Sequence, residues 1–246
     1  TEKKIDIPVI ADTTREQNEQ FIITLSGAVN AKIGKADGLI SITNDDLGFE
    51  MNDDGSNLSP DNYTGYNLVW GDEFSGAAIN TDNWVFETGN NNGWGNNELE
   101  YYTDSRNNSF VYQNHLVIEA WKENISSNNY SSARMKTQGK KSFKYGRIDI
   151  RAKLPIGQGI WPALWMLGSN ITSTDWPKCG EIDIMEVIGK EPSNLYATCH
   201  FGNLWNDKSS CGGDTTITGT FNEAFHLFSI DWDETGIAWK LDNKTF

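Results

Sequence analysis

Apolar and polar residues alternate along most of this chain with a period of two rather than the 3.6 of a helix. Ile5, Ile7 and Val9 alternate near the start, then Phe21, Ile23 and Leu25, then Ile40 and Ile42. A period of two sets one row of side chains on one face of a strand. Residues 1–46 are therefore expected to hold three or four strands separated by polar turns. From 47 to 65 the alternation fails, and Asp, Asn, Ser and Gly dominate in the manner of a linker. It returns near residue 66 and continues to the end without a convincing helix, which predicts an antiparallel β-sandwich. Residues 237–244 read as a strand entering a turn, and the chain stops at Phe246. Neighbours stopped there would present open edges. We expect a fragment of a longer polypeptide, cut at both ends.

Composition narrows the classes. A hydrophobic content of 37% with 12% aromatics suffices for a globular core. No apolar run approaches the ~20 residues of a spanning helix, so membrane insertion is not expected. The net charge of −14 argues against nucleic acid or an anionic membrane as partner, and a neutral polymer is compatible. Three scattered histidines and no Cys-x-x-Cys pair argue against a catalytic transition-metal site. Cys199 and Cys211 could close a loop in an oxidising compartment, or all three cysteines could be thiols.

Candidate chemistry lies in Gly180-Glu181-Ile182-Asp183-Ile184-Met185-Glu186-Val187-Ile188-Gly189. The isoleucines and valine mark a core-packed strand, from which charges are normally excluded unless paired or used. In a regular strand Glu181 and Asp183 share a face and Glu186 falls on the other. A β-bulge around Ile184 and Met185 would return Glu186 to the first face and leave Ile182 and Val187 to pack. Three crowded acids resist joint ionisation, so Asp183 could hold and share a proton. Two carboxylates flanking one bond, one ionised and one protonated, are what glycoside hydrolysis needs. In a chain with 34 acids the spacing alone is no better than chance, so its surroundings decide.

Those surroundings carry a resemblance. Residues 144–155 (KYGRIDIRAKLP), 159–168 (GIWPALWMLG) and 176–180 (WPKCG) precede or abut the acid strand. With residues 68–74 (LVWGDEF), 93–102 (GWGNNELEYY) and 225–232 (FHLFSIDW), they resemble the laminarinase branch of glycoside hydrolase family 16. The resemblance covers about residues 66–246, and its motifs occur in the family's order. It implies a jelly roll with a concave substrate cleft and a retaining endo-hydrolase of β-1,3-glucan. Glu181 matches the nucleophile, Asp183 the assisting acid and Glu186 the general acid/base of a double displacement. It implies further that Trp161, Trp165 and His200 meet the sugar and that Arg134 reaches its hydroxyls; Trp94 and Asn97, in a Gly/Asn-rich loop, are additional substrate-binding candidates on their residue types alone. Mixed-linkage β-1,3-1,4-glucanase and marine galactan hydrolase are alternatives within the enzyme class. A non-catalytic β-glucan-binding module is the alternative outside it. Such modules have lost catalytic carboxylates, whereas all three are present here.

Residues 10–26 and 38–46 resemble the second half of a Calx-β domain, so 1–46 is expected to be a partial β module. The expected layout is that module, a linker over 47–65 and a glucanase-like domain over 66–246 that is cut short at its C-terminus. The chemistry needs no cofactor. A structural Ca²⁺ is possible, with Asp12, Glu16, Asp45 and Asp46 in the first segment and Glu73 in the second as candidate oxygen ligands; ordinary loop acids are the alternative. The expected partner is a β-glucan polysaccharide, the expected state monomeric, and the expected place secreted or on a bacterial cell surface.

Overall fold

The structure is a computed structural model that describes residues 4–10, 19–42 and 51–246. Asp12, Glu16, Asp45 and Asp46 lie outside the described residues. Among the described residues sixteen strands follow one another: β1 (Glu19–Thr24), β2 (Asp37–Ile42), β3 (Val85–Glu87), β4 (Glu100–Tyr102), β5 (Ser109–Tyr112), β6 (His115–Ile118), β7 (Tyr130–Ser132), β8 (Arg134–Lys136), β9 (Gly146–Ala152), β10 (Ala163–Leu167), β11 (Glu181–Glu186), β12 (Asn194–Phe201), β13 (Ser209–Thr216), β14 (His226–Trp232), β15 (Ile237–Leu241) and β16 (Lys244–Thr245). Among the described residues, helical geometry is confined to two 3₁₀ turns, Asn91–Gly95 and Trp205–Asp207.

The chain divides into two compact units. The first comprises Thr1–Met51, Thr88–Phe110 and Leu116–Ala133; the second comprises Asn52–Glu87, Val111–His115 and Arg134–Phe246. In the first unit, β1 and β2 form an antiparallel hairpin in which Phe21 faces Ile40, as the alternation predicts. Residues 4–10 differ from expectation: they form no strand, and Ile5 and Val9 are exposed. Pro8 sits between them and has no N–H to give a ladder.

The second unit is a sandwich of two four-stranded antiparallel sheets, ordered β10-β11-β12-β13 and β16-β15-β14-β9. The tight connection of β15 to β16 is Asp242-Asn243, both at positive φ (50° and 66°). Asp and Asn tolerate that conformation, which two-residue hairpins require. The core between the sheets takes Ile182, Ile184, Met185 and Val187 from β11 and its extension. Leu195 and Ala197 of β12 meet them, with Phe228, Ile230, Trp239 and Leu241 from the opposite sheet.

Residues 52–65, read from composition as linker, have no regular structure but are tied to this unit. Arg151 donates both guanidinium arms to Asp53 at 2.8 and 2.5 Å. Tyr63 donates to Asp149 at 2.6 Å, and Asn57 donates to the carbonyl of Phe225 at 2.9 Å. Such bidentate and charge-assisted bonds are the strong ones, so polar composition here serves attachment.

The register of β11 slips where the acid spacing requires it. Asp183 faces Thr198 and Glu186 faces Tyr196, which leaves Ile184 and Met185 opposite a single residue of β12. On the other side the slip falls between Leu164 and Trp165 of β10. Both bulge residues are buried, Ile184 at 2% and Met185 at 1% exposure, so two successive side chains enter the core. The carbonyl of Asp183 accepts a hydrogen bond from Trp239 Nε1 of the opposite sheet at 2.9 Å. A Trp239→Phe substitution keeps an aromatic ring but leaves that carbonyl without its donor. We expect a loss of about 1–3 kcal/mol in stability, measured by denaturant unfolding against the wild type.

Candidate active site

Directly opposed residues in an antiparallel sheet share a face, so the register defines the site. Glu181 faces His200, Asp183 faces Thr198 and Glu186 faces Tyr196 across β12. On the β10 side Leu167, Trp165 and Ala163 face the same three acids in that order. The bulge thus puts Glu181, Asp183 and Glu186 in one row, with Trp165 and His200 on either side. Leu164 and Met166 of β10 pack the other way, into the core.

The three acids differ in burial and in partners. Asp183 is 3% exposed, whereas Glu181 and Glu186 are half-buried. Burial and the charges of Glu181 and Glu186 push the Asp183 carboxyl up to about 8, and its hydrogen bond to Glu181 acts in the same direction. The most enclosed member of the row therefore keeps a proton at neutral pH. Glu186 is also raised, first by burial and then by the charge of Glu181; the Trp161 indole opposes this by donating from Nε1 at 3.1 Å. His200 Nε2 stands 3.3 Å from Asp183 Oδ2, close enough for attraction but outside hydrogen-bond geometry, since that oxygen has no hydrogen-bond partner.

Arg134 joins the row through an aromatic contact. Its guanidinium lies 4.8 Å from the Trp165 ring centroid, and its Nε pairs with Glu87 at 2.6 Å. Glu87 also pairs with Lys136. Glu87 stands directly opposite Arg134 between β3 and β8, so a carboxylate holds the arginine against Trp165. Sequence reading misses Glu87, because its partner is recognised only through register.

Trp94 and Asn97 belong to the other compact unit. Trp94 packs on Tyr102 at 5.8 Å and donates its indole N–H to the Gly89 carbonyl at 3.2 Å. Asn97 is exposed, at positive φ.

For a metal, Glu181, Asp183 and His200 have ligand atoms within 4.8 Å of one another, the one such grouping among the described residues. Those are the residues of the row itself. Glu73 is exposed in a loop and belongs to no such group among the described residues.

Comparison with known proteins agrees with this geometry. The model of the glycosyl hydrolases family 16 matches residues 94–246. The chain is 42% identical over 198 residues to glucan endo-1,3-beta-glucosidase A1 of Niallia circulans, covering 74% of this chain and 29% of that protein. It is 40% identical over 185 residues to a beta-glucanase of Rhodothermus marinus, covering 74% of this chain and 64% of that one. The chain thus spans less than two thirds of the length of these two relatives. Among solved structures, the laminarinase catalytic domain of Thermotoga maritima superposes with a TM-score of 0.68 at 47% identity, covering 73% of this chain and 75% of that domain. The row of acids, the sandwich that carries it and the span of the match place this chain in family 16 of the glycosyl hydrolases.

Proposed function

We propose that this chain is a retaining endo-hydrolase of β-1,3-glucan that works through Glu181 and Glu186. The observation that carries the reading is the bulge in β11, which sets three carboxylates on one face, the middle one raised by burial and by its two neighbours. Glu181 attacks the anomeric carbon. Glu186, raised by burial, gives its proton to the departing oxygen and then takes one from the water that frees the sugar. Asp183 stays neutral between them and donates to Glu181, which keeps two adjacent negative charges from forming. The reaction needs only side chains and no cofactor.

The choice of substrate rests on the similarity to endo-1,3-β-glucanases and on the bulged spacing. Trp161 and Trp165 offer flat apolar faces to the C–H faces of glucose rings, and Arg134 offers donors to hydroxyls. A polysaccharide substrate also suits the expected secreted or cell-surface location.

Two experiments test this reading. Reducing-sugar release is expected from laminarin, with less from lichenan and none from agarose. Glu181→Gln and Glu186→Gln should each lower kcat by about 10³-fold or more while laminarin binding persists. Release unaffected by either change would overturn the assignment of the two carboxylates.

The second experiment uses the proton on Asp183. Its carboxyl titrates near 8 when folded, against 3.8 when free. Between these values the folded chain holds a proton that the unfolded chain has released, so stability falls as pH rises through that window. We expect Tm of the wild type to fall from pH 5 to pH 8 more steeply than that of Asp183→Asn. Each kcal/mol of difference is worth about 2–4 °C. Parallel curves would contradict the protonated state.

A further inference from the structure

The hairpin between β12 and β13 carries an aromatic group that the proposed chemistry does not use. The last ladder pair is Phe201 with Ser209, and the loop between them presents Trp205 at 62% exposure. A lone exposed tryptophan is ordinary. This one differs in three respects.

It is joined to the acid row by contact. The Trp205 ring lies 5.0 Å from that of Trp176, and Trp176 lies 5.9 Å from His200, whose Nε2 is 3.3 Å from Asp183. It is braced. Lys208 Nζ lies 4.2 Å from the Trp205 ring centroid and 5.3 Å from that of Trp176. Its loop is also fastened: Asp207 Oδ1 accepts from the backbone N–H groups of Asn203 at 2.9 Å and Leu204 at 2.6 Å. Gly202, at φ +149°, lets the loop close, since a Cβ there would meet Lys208 Cα at 2.9 Å and the Asp207 carbonyl at 3.0 Å. A ring already fixed in place loses little freedom on binding.

We propose that Trp205, with Lys208 beside it, is a sugar-binding platform for the glycosyl-donor part of a β-glucan chain. The proposal rests on the function proposed above. Direction follows from the register. His200 faces Glu181, and the hairpin follows directly after it, so Trp205 lies beyond the Glu181 end of the row. Glu186 and its partner Trp161 mark the opposite end, where the departing glucan is protonated. The part of the polymer that becomes bound to Glu181 extends toward Trp205. The indole stacks on the C–H face of a glucose ring, and the Lys208 ammonium donates to its hydroxyls.

The test is kinetics of Trp205→Ala and Trp205→Phe on laminarin and on laminari-oligosaccharides of two to six glucoses, with calorimetric binding of laminarihexaose to Glu186→Gln and to the Glu186→Gln/Trp205→Ala double variant. We expect Trp205→Ala to raise KM for the longer substrates about five- to tenfold, with a much smaller change in kcat. The shortest substrates should be indifferent to the change, and Trp205→Phe should recover most of the loss. Equal KM values at every length in a wild type that cleaves laminarin would overturn the platform and leave the proposed function standing. If the wild type binds laminarihexaose without cleaving it, and the double variant binds more weakly, the hydrolase reading falls and the platform stands. Failure of Glu186→Gln to bind laminarihexaose, or equal binding by both variants, would reject the platform.

Discussion

One hydrogen bond reaches across the sandwich to the point on which the site depends. The Trp239 indole, from the opposite sheet, donates to the carbonyl of Asp183 at the bulge in β11. A bulge disrupts the ladder locally, and a buried carbonyl without a donor is costly. Ile184 and Met185 press into the same core, so the distortion is held from two directions: a polar tie and two apolar anchors. The consequence is parity. Without the extra residue Glu186 would point into the core, where an unpaired carboxylate cannot be sustained. The core thereby determines which face the third acid occupies.

Electrostatics then sorts the three acids. Asp183 is nearly enclosed and takes the proton, while Glu186 is raised less decisively because Trp161 donates to it. The same tryptophan therefore presents an apolar ring and moderates a carboxyl. Arg134 has a comparable double attachment, pairing with Glu87 while lying over Trp165. An arginine fixed in this way keeps its donors pointed without a large entropic loss on binding.

Much of this was legible in the chain. Alternation gave the sandwich its strands, and the spacing of Glu181, Asp183 and Glu186 required a bulge that the register contains. What escaped reading had one cause in common: it depends on which strands are neighbours. Glu87 is an ordinary acid until β3 lies beside β8. Trp205 is an ordinary surface aromatic until the hairpin brings it beside Trp176. Composition misled in the other direction over 52–65, where Asp53, Asn57 and Tyr63 look like linker residues and serve as attachments. At the start, apolar alternation over Ile5 to Val9 predicted a strand, but Pro8 interrupts the donors a ladder needs. Trp94 was read as a sugar platform in a Gly/Asn-rich loop, and its indole N–H donates to the Gly89 carbonyl.

The two ends of the acid row also differ in what lies beyond them, and this bears on how a polymer would be held. At the Glu186 end, Trp161 is bonded to the acid, so moving that ring disturbs a proton that the reaction needs. At the Glu181 end, Trp205 packs on Trp176 and Trp176 packs on His200, which itself makes no hydrogen bond to Asp183 Oδ2. In the proposed function the first arrangement would couple sugar binding at Trp161 to the acid itself, whereas the second sets the hairpin tryptophan two ring contacts away from the acids. A hydrolase that cuts within a long chain benefits from that separation: affinity for a distant sugar can change in the hairpin loop while the bulge keeps the acids in register.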